Sequence, residues 1–245
     1  MKIGITERGD AGINLAWVSK MKEVDGAILI SKNFTELFAQ AVLQCEKPLI
    51  LHCTCTGYGG TELEPNVPDY KTQLNSLKNI IDRGFPAEHC VLRIDPIFPS
   101  VRGLQRVIQV IEYFNSLNTG VGRIRVSIVD EYPHVRKRYE EKGWSPLYGG
   151  NFYPSTEQVE QTAKVLNAYD FKYETCAENF LASKLYNGEV RGCISYKDLN
   201  IMDIKNNIMS TNPQNRKGCS CLSCKTELLT ERKPCPNGCV YCFWK

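Results

Sequence analysis

Three cysteines, Cys235, Cys239 and Cys242, stand near the end of the chain in "KPCPNGCVYCFWK", spaced C-x3-C-x2-C. Three thiolates at this spacing can bind three irons of a cubane cluster and leave the fourth open, whereas such clusters are normally held by four cysteines. An open iron can chelate the amino and carboxylate groups of S-adenosylmethionine, and reduction then breaks a carbon–sulfur bond of that cofactor. Gly238 lets so short a loop turn tightly. Tyr241 forms an apolar wall beside the last ligand and is a candidate catalytic side chain. Zinc is the alternative on spacing alone: "CSCLSC" and "CPNGCVYC" together offer six thiolates, enough for a tetrahedral structural site.

The other cysteines are a second candidate set. Cys176 in "ETCAE", Cys193 in "RGCIS", and Cys219 and Cys221 in "CSC" could hold an auxiliary [4Fe-4S] cluster, with Cys224 able to replace one of them. The competing reading is buried structural cysteines plus a small zinc site. Cys53 and Cys55 alternate with His52 and Thr54, so one of these pairs faces the interior of the fold. A thiol there, Cys55 above all, could give a hydrogen atom to a substrate radical, or could simply pack the core.

These residues must be positioned by the segments around them. "KIGIT", "GAILIS", "PLILHCTCT", "CVLRIDP", "RIRVSIVD" and "FKYETCAE" read as short buried strands, the fourth ended by Pro96. Helical periodicity fills the intervals, with Asn33 a plausible N-cap, Gly84 a stop, and Thr156 and Gln158 near a helix start. Strands alternating with helices predict parallel β/α units. Six of them predict an open sheet or partial barrel over residues 1–205, followed by a polar, turn-rich cluster-binding tail over 206–245. In such folds chemistry gathers at the C-terminal ends of the strands. Those ends are polar here: Thr6 and Glu7, Ser31 and Lys32, Thr54 and Thr56, Arg93 and Asp95, Ser127 and Asp130, Glu174 and Cys176. Lys32 and Arg93 supply positive charge suited to a carboxylate or phosphate. Salt bridges to Asp10, Glu64 or Asp95 are the plainer expectation for them.

Composition bounds the function. The 245 residues are 42% hydrophobic and 23% charged, with net charge +3, which does not by itself argue for nucleic acid or membrane. No apolar run is long enough to span a bilayer, and "MKIGITERGDAG" lacks a signal-peptide core, so the expected compartment is the cytoplasm. Twelve cysteines in a reducing compartment point to metal rather than disulfides. "HVRKRYEEK" could contact phosphates, and Tyr148, Phe152 and Tyr153 could stack on a base.

The pattern C-x3-C-x-aromatic-C is the signature of radical S-adenosylmethionine enzymes, and "CPNGCVYCF" resembles their spore photoproduct lyase branch. There the motif follows the first strand; here it comes last. The rest of the chain looks like what should follow it. "GITERGD" is similar to the branch's Ser/Thr–Asp segment, "LISKNFTEL" resembles a strand end whose lysine meets the cofactor carboxylate, and "TGYGGTELEPNVP" with "LRIDPIFP" resembles its middle strands. The chain thus resembles a circular permutant. It is also similar along nearly its whole length to a bacterial family of unknown function sharing "EPNVP", "R-x-DPI", "ETCAE", "G-x-C-I" and a terminal "C-x-C … C-x3-C-x-YC". Cys224 departs from that family's serine.

The resemblance implies a circularly permuted, partial TIM-like β/α barrel with a catalytic [4Fe-4S] cluster on Cys235, Cys239 and Cys242. Thr6, Asp10, Ser31, Lys32, Thr54, Arg93 and Asp95 are the expected S-adenosylmethionine-binding residues. A flavodoxin or ferredoxin is the expected electron donor, and nucleobases or nucleotides are among the candidate substrates. The alternative is a zinc-stabilised nucleic-acid-binding module without catalytic activity.

Overall fold

The computed structural model of the chain describes residues 1–205, 219–231 and 234–244. Eight strands are formed: β1 (Ile3–Ile5), β2 (Gly26–Ser31), β3 (Leu49–Thr54), β4 (Cys90–Ile97), β5 (Ile124–Ile128), β6 (Tyr173–Thr175), β7 (Gly188–Val190) and β8 (Lys225–Glu227). All pair in parallel in one sheet, in the order β7-β6-β5-β4-β3-β2-β1-β8. The first six are the strands expected from the apolar runs. The three-residue β7 and β8 carry too little pattern to be read. β8 also corrects the tail: residues 225–227 extend the sheet beside β1, with Ile3 opposite Lys225 and Ile5 opposite Glu227. Among the described residues no pairing joins β7 to β8, so the sheet is open at both edges.

Helices return the chain between strands: α1 (Ala16–Lys20), α2 (Glu36–Leu43), α3 (Tyr70–Asp82), α4 (Val101–Ser116), α5 (Pro133–Glu141), α6 (Thr156–Leu166), α7 (Asn179–Lys184) and α8 (Tyr196–Ile201). Their starts follow capping chemistry. Thr35, not Asn33, caps α2 by accepting from the Phe38 amide. Asp69 caps α3, Ser100 caps α4, and Ser155 with Gln158 closes a capping box on α6. Pro96 does not end β4. The strand runs on to Ile97, and its register against β5 shifts between Ile94 and Ile97.

Both faces of the sheet are covered, as near-continuous apolar strands require. On one face Leu29, Leu51, Leu92, Ile94 and Val126 pack with helical residues such as Trp17, Phe38, Leu74, Val110 and Phe114. On the other, Ile3, Ile5, Ile28, Ile50 and Val91 meet Cys193, Ile194, Leu199, Met202, Cys221 and Leu222. The cysteine-rich segments therefore line the face that the main helices leave free. Among the described residues no helix is long and apolar enough to cross a membrane.

Candidate cofactor site

The loop bearing Cys235, Cys239 and Cys242 follows β8 and is tied down over its length. Asn66 donates from Nδ2 to the Pro236 carbonyl at 2.8 Å, and the Val240 amide donates to the Leu63 carbonyl at 3.0 Å. Gly238 has φ +68°, and a Cβ there would stand 3.3 Å from Cγ of Pro65. Glycine thus permits both the turn and the close seat on "EPNVP". From the other side, α5 clamps the last residues: Arg138 donates to the Cys242 carbonyl at 2.5 Å, and His134 Nε2 lies 2.9 Å from the Phe243 carbonyl. A carbonyl only accepts, so that nitrogen carries the proton. The Arg8 guanidinium lies over the Trp244 ring at 5.0 Å.

Two buried carboxylates join this loop to the strand ends. Asp10 accepts from Asn237 Nδ2 at 2.6 Å, Ser31 Oγ at 2.6 Å, the Lys32 amide at 2.8 Å and the Gly12 amide at 2.9 Å. Burial pushes its carboxyl pKa up, against the pull of these four donors. Glu64 accepts from Lys32 Nζ at 2.9 Å, from Thr56 at 2.8 Å and from the Tyr241 hydroxyl. Burial disfavours the Lys32 ammonium, but Glu64 and then Cys239 outweigh it and the pKa rises. The same burial pushes the Cys239 thiol up to about 12, with Lys32 opposing. Lys32 also lies 5.5 Å from the centre of the Tyr241 ring. Tyr241, Phe98 and Tyr58 stack edge to face in series, giving a dry apolar wall.

The remaining expected site residues separate into groups. Arg93 pairs with Asp95, which also accepts from Ser127 at 2.5 Å. Asp95 lies within electrostatic reach of Lys32, so it belongs to the same site. Thr6 does not face it: its hydroxyl accepts from the Ile30 amide at 2.8 Å and sews β1 to β2. Thr54 Oγ1 is buried with no hydrogen-bond partner among the described residues, as are both ring nitrogens of neighbouring His52. Burial, then Arg125 and Arg93, hold His52 neutral. Cys55 is a correction. With Cys53 it belongs to the helix-side core, its thiol pushed up to about 12 by burial, so the pair facing the cysteine-rich side is His52 and Thr54.

The second cysteine set converges from three segments. Cys176 and Cys193 bring their sulfurs to 3.5 Å, and the Cys193 amide donates to Cys221 Sγ at 3.1 Å. Cys219 neighbours Cys221. Cys224 lies on the same face, its carbonyl accepting from the Ile3 amide at 2.8 Å, and among the described residues no hydrogen bond joins its thiol to the four. Among the described residues no three His, Cys, Asp or Glu side chains are already placed to hold one metal ion.

The expected ion pair of Lys32 with Glu64 is present. Sequence reasoning missed the bond of Tyr241 to Glu64 and that of Asn237 to Asp10, which seat the loop, because nothing local marks these side chains as partners. It also missed the use of the basic helix. Arg138 holds the Cys242 carbonyl, and Arg136 donates to the Gly150 carbonyl at 2.6 Å. Tyr148 is buried and bonded to the Val129 carbonyl at 2.6 Å, so it anchors its loop.

No curated protein and no solved structure matches the chain. A family model does match, over residues 14–244, described as a domain of unknown function, DUF1848. Its span takes in the strand ends from β2 onward, the Glu64–Pro68 cradle and all three cysteines of the loop, with Thr6 and Asp10 just before it, and the chain belongs to that family.

Proposed function

We propose that the chain is a radical S-adenosylmethionine enzyme whose terminal loop carries the catalytic cluster. One observation carries this reading. The C-x3-C-x2-C loop issues from β8 and is bonded through Asp10 and Glu64 to the ends of the strands beside it, with Lys32 in electrostatic reach of Cys239. Read from β8, the sheet runs β8, β1, β2 and on to β7. In that order the cysteine loop follows the first strand, which supports a circularly permuted partial barrel.

The thiols suit a cubane better than a single ion. Each thiolate of a cubane takes its own iron, so three ligands occupy three corners rather than surround one point. When bound, such a cluster would chelate S-adenosylmethionine at its open iron and pass it the electron that breaks a carbon–sulfur bond. The chain's own residues prepare the place. Asp10 fixes Asn237 of the loop against β2. Lys32, held by Glu64, offers three donors and a full charge to a carboxylate. Tyr58, Phe98 and Tyr241 keep water from one side. The electron would come from a flavodoxin- or ferredoxin-type donor in a reducing cytoplasm. The zinc-stabilised nucleic-acid module has less support, because Arg136 and Arg138 are engaged with backbone carbonyls.

The test is anaerobic reconstitution with iron and sulfide, followed by a reductant and S-adenosylmethionine. The protein should release 5′-deoxyadenosine, and the Cys235→Ala/Cys239→Ala/Cys242→Ala variant should not. Equal release by both proteins would sink the reading.

A further inference from the structure

On the sheet face formed by Ile3, Ile5, Ile28, Ile50 and Val91 lies a second concentration of thiols that the proposed chemistry does not use. Cys176 follows β6, Cys193 precedes α8, and Cys219 and Cys221 precede β8, so three stretches far apart in sequence meet there. Their meeting is built. Gly192 lies so close to the partner segment that a Cβ would stand 2.6 Å from the Ser220 carbonyl oxygen and the Cys221 amide. Any side chain at 192 would push Cys193 away from Cys221. Ala177, directly after Cys176, holds φ +59°, a conformation costly for alanine.

The sulfur spacing separates the chemical options. A disulfide needs about 2.05 Å between sulfurs. Two thiolates on one tetrahedral ion, each about 2.3 Å from it, stand about 3.8 Å apart. Cys176 and Cys193, at 3.5 Å, are near the second value.

Charge points the same way by a separate route. Glu174 and Asp198 are buried and serve a crowd of cations. Glu174 accepts from Arg123 at 2.9 Å, Arg125 at 2.9 Å and Lys197 at 3.1 Å, with Arg191 at 3.4 Å. Asp198 takes Arg123 at 2.7 Å. Arg191 also pairs with Glu189, so three carboxylates face four cations. Arg125 is 1% exposed, and its Nε and Nη1 have no hydrogen-bond partner among the described residues. Buried donors left without a partner are costly. Arg125 and Arg93 are both in electrostatic reach of Cys193, and Lys225 is in reach of Cys193 and Cys221. Glu7 lies in electrostatic reach of Cys193, and Lys225 is bonded to it.

We propose that Cys176, Cys193 and Cys221, joined by Cys219, bind a thiolate-ligated metal centre, distinct from the terminal loop, whose net negative charge is compensated by Arg93, Arg125 and Lys225. A divalent ion held by three or four thiolates is a net anion, which would face the guanidinium nitrogens of Arg125 that Glu174 leaves without a partner. The thiols now touch in series, Cys176 to Cys193, Cys193 to Cys221 and Cys221 to Cys219. Closing the series round a metal takes rotation about χ1. Cys224 takes no part.

The test uses the full chain, purified anaerobically and reconstituted in parallel with iron plus sulfide and with zinc. Bound iron, acid-labile sulfide and zinc per chain are then measured. The decisive protein is the Cys235→Ala/Cys239→Ala/Cys242→Ala variant, which lacks the terminal ligands. It should keep about one thiolate-bound centre per chain, and adding Cys193→Ser/Cys221→Ser to it should remove that centre. Iron with sulfide would identify a cluster, and zinc alone a mononuclear site; both sustain the proposal. A terminal-loop variant that binds neither iron nor zinc overturns it. Should the added Cys193→Ser/Cys221→Ser changes prevent folding, as a melting curve would reveal, Cys193→Ser alone is measured by the same criterion. Retention of full metal in that folded variant also overturns the proposal. The inference stands apart from the reading of the terminal loop: deoxyadenosine release by the native protein tests that reading, whereas metal content of the terminal-loop variant tests this one.

Discussion

The two cysteine sets are held by different means. Cys235, Cys239 and Cys242 sit on one short loop, and what fixes them is a few hydrogen bonds, donated to the loop by Asn66 and Arg138 and by the loop to Asp10 and the Leu63 carbonyl. Cys176, Cys193 and Cys221 come from three segments, and what fixes them is the buried ionic frame of Arg123, Arg125, Glu174 and Asp198 with the apolar layer around it. The first set should tolerate alteration better, since its ties are local to one loop. The second is part of the fold, because a buried charge that loses its partner cannot turn to water.

The largest expected effect follows from that contrast. Glu174→Ala leaves Arg123 and Arg125 without their main partner and should cost about 3–5 kcal/mol, read as a lower midpoint of urea unfolding. A loss below about 1 kcal/mol, the range of an exposed pair, would mean that the frame is wetter than its burial implies.

A smaller effect is expected at the terminal site, on binding rather than on the fold. Lys32→Met removes a charge-assisted donor worth about 1.5–3 kcal/mol, so S-adenosylmethionine should bind one to two decades more weakly, with iron content unchanged. Because Lys32 is paired with buried Glu64, that variant also strands a carboxylate. Lys32→Met/Glu64→Gln relieves this and should recover the melting temperature without recovering affinity. Recovery of both would make Lys32 a structural partner of Glu64 and nothing more.

The smallest effect is expected from Asp95. Burial opposes its charged form, but Arg93 and then Ser127 outweigh it, and its pKa falls below the ordinary 3.8. A depressed pKa contributes stability that is present above the unfolded value and lost as pH falls through the folded one. Stability should therefore decline below about pH 4, and Asp95→Asn should flatten that acid limb of the urea midpoint plotted against pH. An unchanged slope would place the pair in solvent.

Much of the architecture was legible because it is local. The runs "GAILIS" and "PLILHCTCT" mark buried strands by composition alone, and Ser155 with Gln158 marks a helix start by a contact three residues long. The spacing of the terminal cysteines was legible for the same reason, since it is written in consecutive residues. Which of the pairs Cys53/Cys55 and His52/Thr54 meets the helices was not legible, because alternation says that two faces differ, not which is which. Asn33 lost the cap to Thr35 because the two lie within one turn and both can accept from an amide.

The sequence by itself determined the parallel β/α character, the concentration of metal-type ligands and the polar strand ends. Only the tertiary structure decided that Lys225–Glu227 pairs with Ile3–Ile5, that Glu64 and Asn237 seat the loop, and that Cys221 rather than Cys224 meets Cys193. The reason is the same in each case. A cap or a ligand spacing is an energy between neighbours in the chain, whereas a buried carboxylate's partners are chosen by whichever distant donors the sheet order brings to it, as Asn237 is brought to Asp10 across 227 residues.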